Sequence, residues 1–207
     1  MLWFLLFTAF DVALITLLDV VIPQRANKYL TFHHNKYIPW TPLMVFNMCY
    51  TNLLFDWTVD IYGDQETAWW QFLACTPITS VMFYFIHREL HRTPIVYRQI
   101  HSVHHQFSHP QAKVVYQAHV LEQFILNILP VYVPIMIMGL NTAWATAYVT
   151  FAHINGFLAH INWYYPQAVW APLVFDDFHL KHHVDRQVNF GLSDRHLDYY
   201  ANTLASP

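Results

Sequence analysis

Five histidines fall within residues 87–105: His87 and His91, then His101, His104 and His105. Far downstream, His179, His182 and His183 repeat the second spacing. On a helix, intervals of three and four residues put side chains on one face, a turn apart. Neutral imidazole is the commonest protein ligand for iron, zinc and copper. Eight imidazoles exceed the four ligands of a structural zinc ion. Two ions, each with four or more nitrogens, would use them. No cysteine lies in the groups, which disfavours structural zinc and iron–sulfur clusters. A nitrogen-rich pair of redox metals fits dioxygen chemistry. Iron leads, with zinc and copper left open by spacing alone.

Two further histidines join the candidate set. His153 and His160 are seven residues apart, two turns along one helical face. We expect His160 to be a ligand. His153 is counted with it, the alternative being a hydrogen-bonded histidine between helices. His119, with Glu122 one turn on, is a candidate supporting pair. His33, His34, His109 and His196 read as ordinary polar residues.

Elements must bring these groups together. The chain has 207 residues, of which 56% are hydrophobic, 18% aromatic and only 11% charged. Globular averages are roughly 25% charged, so the composition points to a membrane protein, and one domain over 1–207 is the default. The net charge of −3 argues against nucleic acid as a partner. Cys49 and Cys75 sit in apolar stretches and read as reduced, buried thiols.

Residues 1–22 are apolar enough to span a bilayer. Asp11 and Asp19 within them are costly in lipid and are expected to face other helices. Further apolar runs occupy 41–61, 67–86, 120–138 and 142–161, with Pro77, Pro130 and Pro134 inside them. The expected fold is therefore all-α, a multi-span membrane bundle with a histidine-rich cap. If the runs cross in turn, segments 23–39, 87–119 and 162–207 share one side. All ten Lys and Arg fall in those three segments. By the positive-inside rule that side is cytosolic, and the three histidine groups lie on it too.

The motifs resemble the fatty acid hydroxylase/sterol desaturase superfamily of integral membrane di-iron enzymes, whose pattern is HxxxH, HxxHH and a later HxxHH. The resemblance covers about residues 70–200. It extends to Phe83-Tyr84, to Tyr97-Arg98-Gln99-Ile100-His101, to Tyr116-Gln117-Ala118-His119 with Glu122, to His160 with Pro166, and to Asn189-Phe190-Gly191 and Asp194-Arg195. The chain departs from the pattern at Ser80, where many relatives are acidic, at Val120 in place of proline, and in the closing His196-Leu197-Asp198-Tyr199.

The resemblance implies two irons, O2 as co-substrate, and hydroxylation or desaturation of a sterol or fatty acyl C–H bond. It implies electrons from NAD(P)H through cytochrome b5 or a reductase, and a lipid substrate entering from the bilayer past aromatics such as Tyr84, Tyr116, Trp163 and Tyr164. A multi-pass protein follows, in the endoplasmic reticulum if the source is eukaryotic, with its boxes facing the cytosol. Lys113, Lys181 and Arg186 are candidate docking residues for an acidic electron donor, or else face solvent and lipid headgroups. The competing class is a histidine-rich metal-binding or transport protein, which would want ligands along a pathway within the spans.

Overall fold

The computed structural model describes residues 1–21, 38–58, 61, 63–108, 110–161 and 178–205. Of the residues singled out above, His33, His34, His109, Trp163, Tyr164 and Pro166 lie outside this set. Among the described residues every regular element is helical.

The helices start and stop where the side chains dictate. Helix α1 (Leu2–Thr16) continues into a π-helical turn, Leu17–Val21. Helix α2 (Pro42–Thr58) opens with proline, whose fixed φ suits a first turn. The Thr41 hydroxyl caps it by accepting the Met44 N–H at 3.1 Å. Helix α3 (Trp69–Arg92) runs through Pro77 without interruption. It ends before Pro94, which begins α4 (Pro94–Gln99). Two 3-10 segments follow, His101–Gln106 and Ala112–Tyr116.

Residues Val120–Met138 make one rod: α5 (Val120–Glu122), a π-helical stretch (Gln123–Ile128) and α6 (Leu129–Met138). The wider winding gives the Pro130 ring room against the preceding turn. Gly139 closes α6 in the left-handed region at φ 62°, and Leu140 N–H reaches back to the Ile135 carbonyl at 3.1 Å. Asn141 then caps α7 (Thr142–Ala159) by accepting the Trp144 N–H. Two short helices, α8 (Phe178–Val184) and α9 (His196–Tyr200), complete the described chain.

Helix α1 packs on α2, and α3 packs on α6. The core between them is aromatic and aliphatic, with Phe7, Phe55, Tyr132, Ile135 and Tyr148 in one cluster. A second cluster holds Ile15, Met44, Tyr116 and Phe157.

The short connections meet at one end of the bundle. Thr142 N–H donates to the Gly63 carbonyl at 3.0 Å, and Asn141 N–H to the Thr67 hydroxyl at 2.8 Å. The Met1 ammonium pairs with Asp56 at the end of α2. At the other end Asp19 accepts from the Ala112 N–H at 2.7 Å and from Lys113 Nζ at 2.6 Å. Both aspartates of the first apolar run thus face protein: Asp11 accepts from Asn52 at 2.9 Å and from the Tyr116 hydroxyl at 2.7 Å. Lys113 is buried in this pair, and so is not a docking residue.

Five crossing helices were expected. By length and composition two qualify, Leu2–Val20 and Val120–Met138. Helices α2, α3 and α7 are diluted by polar residues turned inward, such as Asn47, Asn52 and Thr79. Their outer faces remain apolar: Phe46, Leu53 and Trp57 on α2, Leu73, Val81 and Phe85 on α3, and Phe151 on α7 are exposed.

Candidate metal centre

Nine histidines converge in two adjoining groups. His87, His91, His101, His105 and His182 form the first, and His104, His160, His179 and His183 the second. Within each group one nitrogen per ring lies within 4.8 Å of all the others. The end of α3 supplies His87 and His91, the 3-10 segment His101, His104 and His105, the end of α7 His160, and α8 the last three. Each group draws on three of these elements, so neither exists until the chain has folded.

The sequence boxes are divided between the groups. His101 and His105, a turn apart, serve the first group, while His104 between them turns to the second. In α8 the pair His179 and His183 serves the second group and His182 the first. The groups therefore interlock through both boxes, and the His105 and His183 rings sit 4.8 Å apart.

Hydrogen bonds at the outer nitrogens set the tautomers. His87 Nδ1 donates to the Phe190 carbonyl at 2.6 Å, His182 Nδ1 to Val188 at 2.7 Å, His160 Nδ1 to Gly156 at 2.7 Å and His104 Nδ1 to Gln117 at 3.3 Å. A carbonyl only accepts, so each of these rings carries its proton on Nδ1 and a bare lone pair on Nε2. The Nε2 atoms of His160 and His104 face each other at 3.3 Å, with no proton to share. Both nitrogens of His179 and of His183, and Nε2 of His87, are buried without partners. Facing lone pairs and orphaned buried acceptors are costly unless a cation lies among them. The donor set fits two such ions.

Burial holds these rings neutral. Desolvation, with mutual repulsion of the protonated forms, depresses the pKa of His87, His101, His104, His105, His179, His182 and His183 well below the usual imidazole value. That of His91 falls to about 2 for the same reasons.

Supporting residues differ from the expected ones. Glu122 binds His101, Nδ1 to Oε1 at 2.8 Å, and not His119. His119 instead caps α5 by accepting the Leu121 N–H at 3.2 Å. Asp198 in α9 accepts from the Phe190 and Gly191 N–H groups, each at 2.8 Å, and from the Thr203 hydroxyl at 2.6 Å. It thereby fixes the carbonyl that holds His87. The departure from the family pattern at Asp198 thus has a structural task, which no local sequence signal announced. The Tyr97 ring lies 5.2 Å from that of His91, its hydroxyl buried without a partner.

His153 belongs to neither group. Its Nδ1 pairs with Asp11 Oδ1 at 3.0 Å, and its ring packs between Phe7 and Phe157. Two turns of α7 separate it from His160, too far to share an ion. It is the alternative role, a hydrogen-bonded histidine between helices, that the structure shows.

A cavity of about 650 Å³ abuts the second group. His87, His104, His160 and His179 reach it from the histidine end, and α3, the π-helical stretch, α6 and α7 wall it with Phe83, Leu126, Val131, Phe151 and Phe157. The arrangement sets a nitrogen-rich group that could hold a metal against a largely apolar, lipid-sized space.

The family model for fatty acid hydroxylase matches residues 72–203. The chain belongs to the fatty acid hydroxylase family. Among curated relatives it is similar to human fatty acid hydroxylase domain-containing protein 2, at 34% identity over 51% of this chain and 31% of that protein. It is 32% identical to fatty acid hydroxylase ahd1 of Mycosarcoma maydis, over 62% of this chain and 32% of the relative. With methylsterol monooxygenase erg25A of Aspergillus fumigatus it shares 28% over 70% and 50%. The matches thus take in between about a third and half of these relatives' lengths. No solved structure matches the chain. The matched span of this family member includes all nine clustered histidines, Glu122 and Asp198.

Proposed function

We propose that the protein is a membrane-embedded, O2-dependent di-iron oxygenase that hydroxylates or desaturates a lipid C–H bond. The observation that carries this reading is the meeting of two neutral, convergent imidazole groups with an apolar cavity. His87, His91, His101, His105 and His182 would hold one iron, and His104, His160, His179 and His183 the other. When bound, the irons supply reductive O2 activation and oxidation of the C–H bond, with electrons from a cytochrome b5 or reductase fed by NAD(P)H.

The chain's residues do the rest. Backbone carbonyls of Gln117, Gly156, Val188 and Phe190 hold the rings in the metal-binding tautomer. Glu122 orients His101 and offsets cationic charge. Phe83, Leu126 and Phe157 exclude water and guide an acyl or sterol skeleton toward the second group. The exposed apolar faces of α1, α2, α3, α6 and α7 suit lipid contact and support a multi-pass bundle. With all ten Lys and Arg assigned to one side, the metal end faces the cytosol, and if the cell is eukaryotic the membrane is that of the endoplasmic reticulum. A transport role has less support, because the ligands form two closed groups rather than a path between membrane faces.

The test is expression in membranes followed by lipid analysis with and without O2, beside His104→Ala. Wild type should yield a product with one added oxygen or two fewer hydrogens, and the variant neither. An unchanged lipid profile across a broad sterol and acyl panel would sink the reading.

A further inference from the structure

His153 lines the cavity wall yet takes no part in either histidine group. Its Nδ1 is held by Asp11, a carboxylate with no exposed side-chain surface, whose other oxygen already accepts from Asn52 and Tyr116. The Nδ1–H donates to Asp11 Oδ1 at 3.0 Å, which fixes the orientation of the ring. No described residue engages Nε2, while the side chain keeps 12% exposure and borders the cavity.

Most other polar side chains of the wall are already bonded within the protein. Thr79 donates to the Pro130 carbonyl or pairs with Tyr148, Gln123 donates to Thr51, and Asn155 donates to Ser193. His153 thus places an oriented ring, with no described partner at Nε2, on a wall that is mainly apolar between the polar residues at its ends. It lies seven residues before His160, about 10 Å along the helix axis.

We propose that His153 is a substrate-binding residue whose Nε2 accepts a hydrogen bond from a hydroxyl of a neutral lipid bound in the cavity. This rests on the lipid oxygenase reading above and narrows its substrate class to hydroxyl-bearing lipids. Asp11 is the positioning residue, since it acts through the ring.

The test is equilibrium binding to the full chain in lipid nanodiscs. The probes are a tritiated long-chain alcohol and a tritiated sterol, each compared with its O-methyl ether, which lacks the donor. Wild type should hold at least one of the alcohols more tightly than its ether, on the order of tenfold. In His153→Asn the shorter amide can still donate to Asp11, so the fold is kept, but Nε2 is gone and the ratio should fall toward one. Thermal midpoint and iron content should match wild type.

Equal binding of alcohol and ether by wild type in both pairs overturns the proposal, as does a preference that survives in His153→Asn. Loss of iron in that variant overturns it too, in favour of a ligand role. Failure of the oxygenase reading shows separately, as no oxidised lipid from wild type whatever the binding ratio.

Discussion

His101 Nδ1 and Glu122 Oε1 lie 2.8 Å apart with both side chains fully buried. This contact ties the second histidine box to the start of the 120–138 rod. Removal of the carboxylate in Glu122→Ala frees the His101 ring to rotate and to take the wrong tautomer. Iron affinity should drop about 10- to 100-fold, read by metal analysis after dialysis against a graded chelator. Glu122→Gln keeps an accepting oxygen and should retain most of the metal. Equal losses in both variants would refute an orienting role.

Gly191 offers a sharper structural test. A Cβ at this position would collide with the Asp194 backbone oxygen. Backbone cannot yield as a flexible side-chain tip can, so Gly191→Ala must displace the turn that carries the Phe190 carbonyl. His87 then loses its tautomer-setting partner. We expect lower iron content with the helical circular dichroism kept. Unaltered metal loading would show that the turn adapts without cost to His87.

Asp19 and Lys113 form a buried pair, each about 2% exposed. Removing one partner strands the other charge, at a cost of about 3–5 kcal/mol. Lys113→Met should therefore lower the thermal midpoint in detergent, and Asp19→Asn with Lys113→Met should recover much of the loss. If Lys113→Met alone left the midpoint unmoved, the pair would contribute nothing to stability.

The metal-free protein should be acid-sensitive. Its buried imidazoles have folded pKa values far below the usual one, about 2 for His91, whereas the unfolded chain takes up protons near 6.5. Below that pH the unfolded state binds more protons, so stability falls as pH falls. Chelated protein should lose thermal midpoint progressively from about pH 6.5 downward and change little above pH 7.5. A flat profile between pH 7 and 5 would contradict neutral burial.

The sequence by itself determined the helical spacing within each box, the helical character of the described residues and the family. These are local properties: periodicity and residue chemistry are written along a few turns of chain. Only the tertiary structure decided which histidines face one another, because a box of spacing three and four points its members at two centres once its neighbours are packed. It also gave Glu122 to His101 rather than His119, turned Lys113 inward to Asp19, and set His153 on Asp11 instead of a metal. Those partners lie between 21 and 142 residues apart in the chain. No local period records such distances. The packing of α1 and its π-helical turn against the second 3-10 segment and α7, and of the first 3-10 segment against α5, decides them.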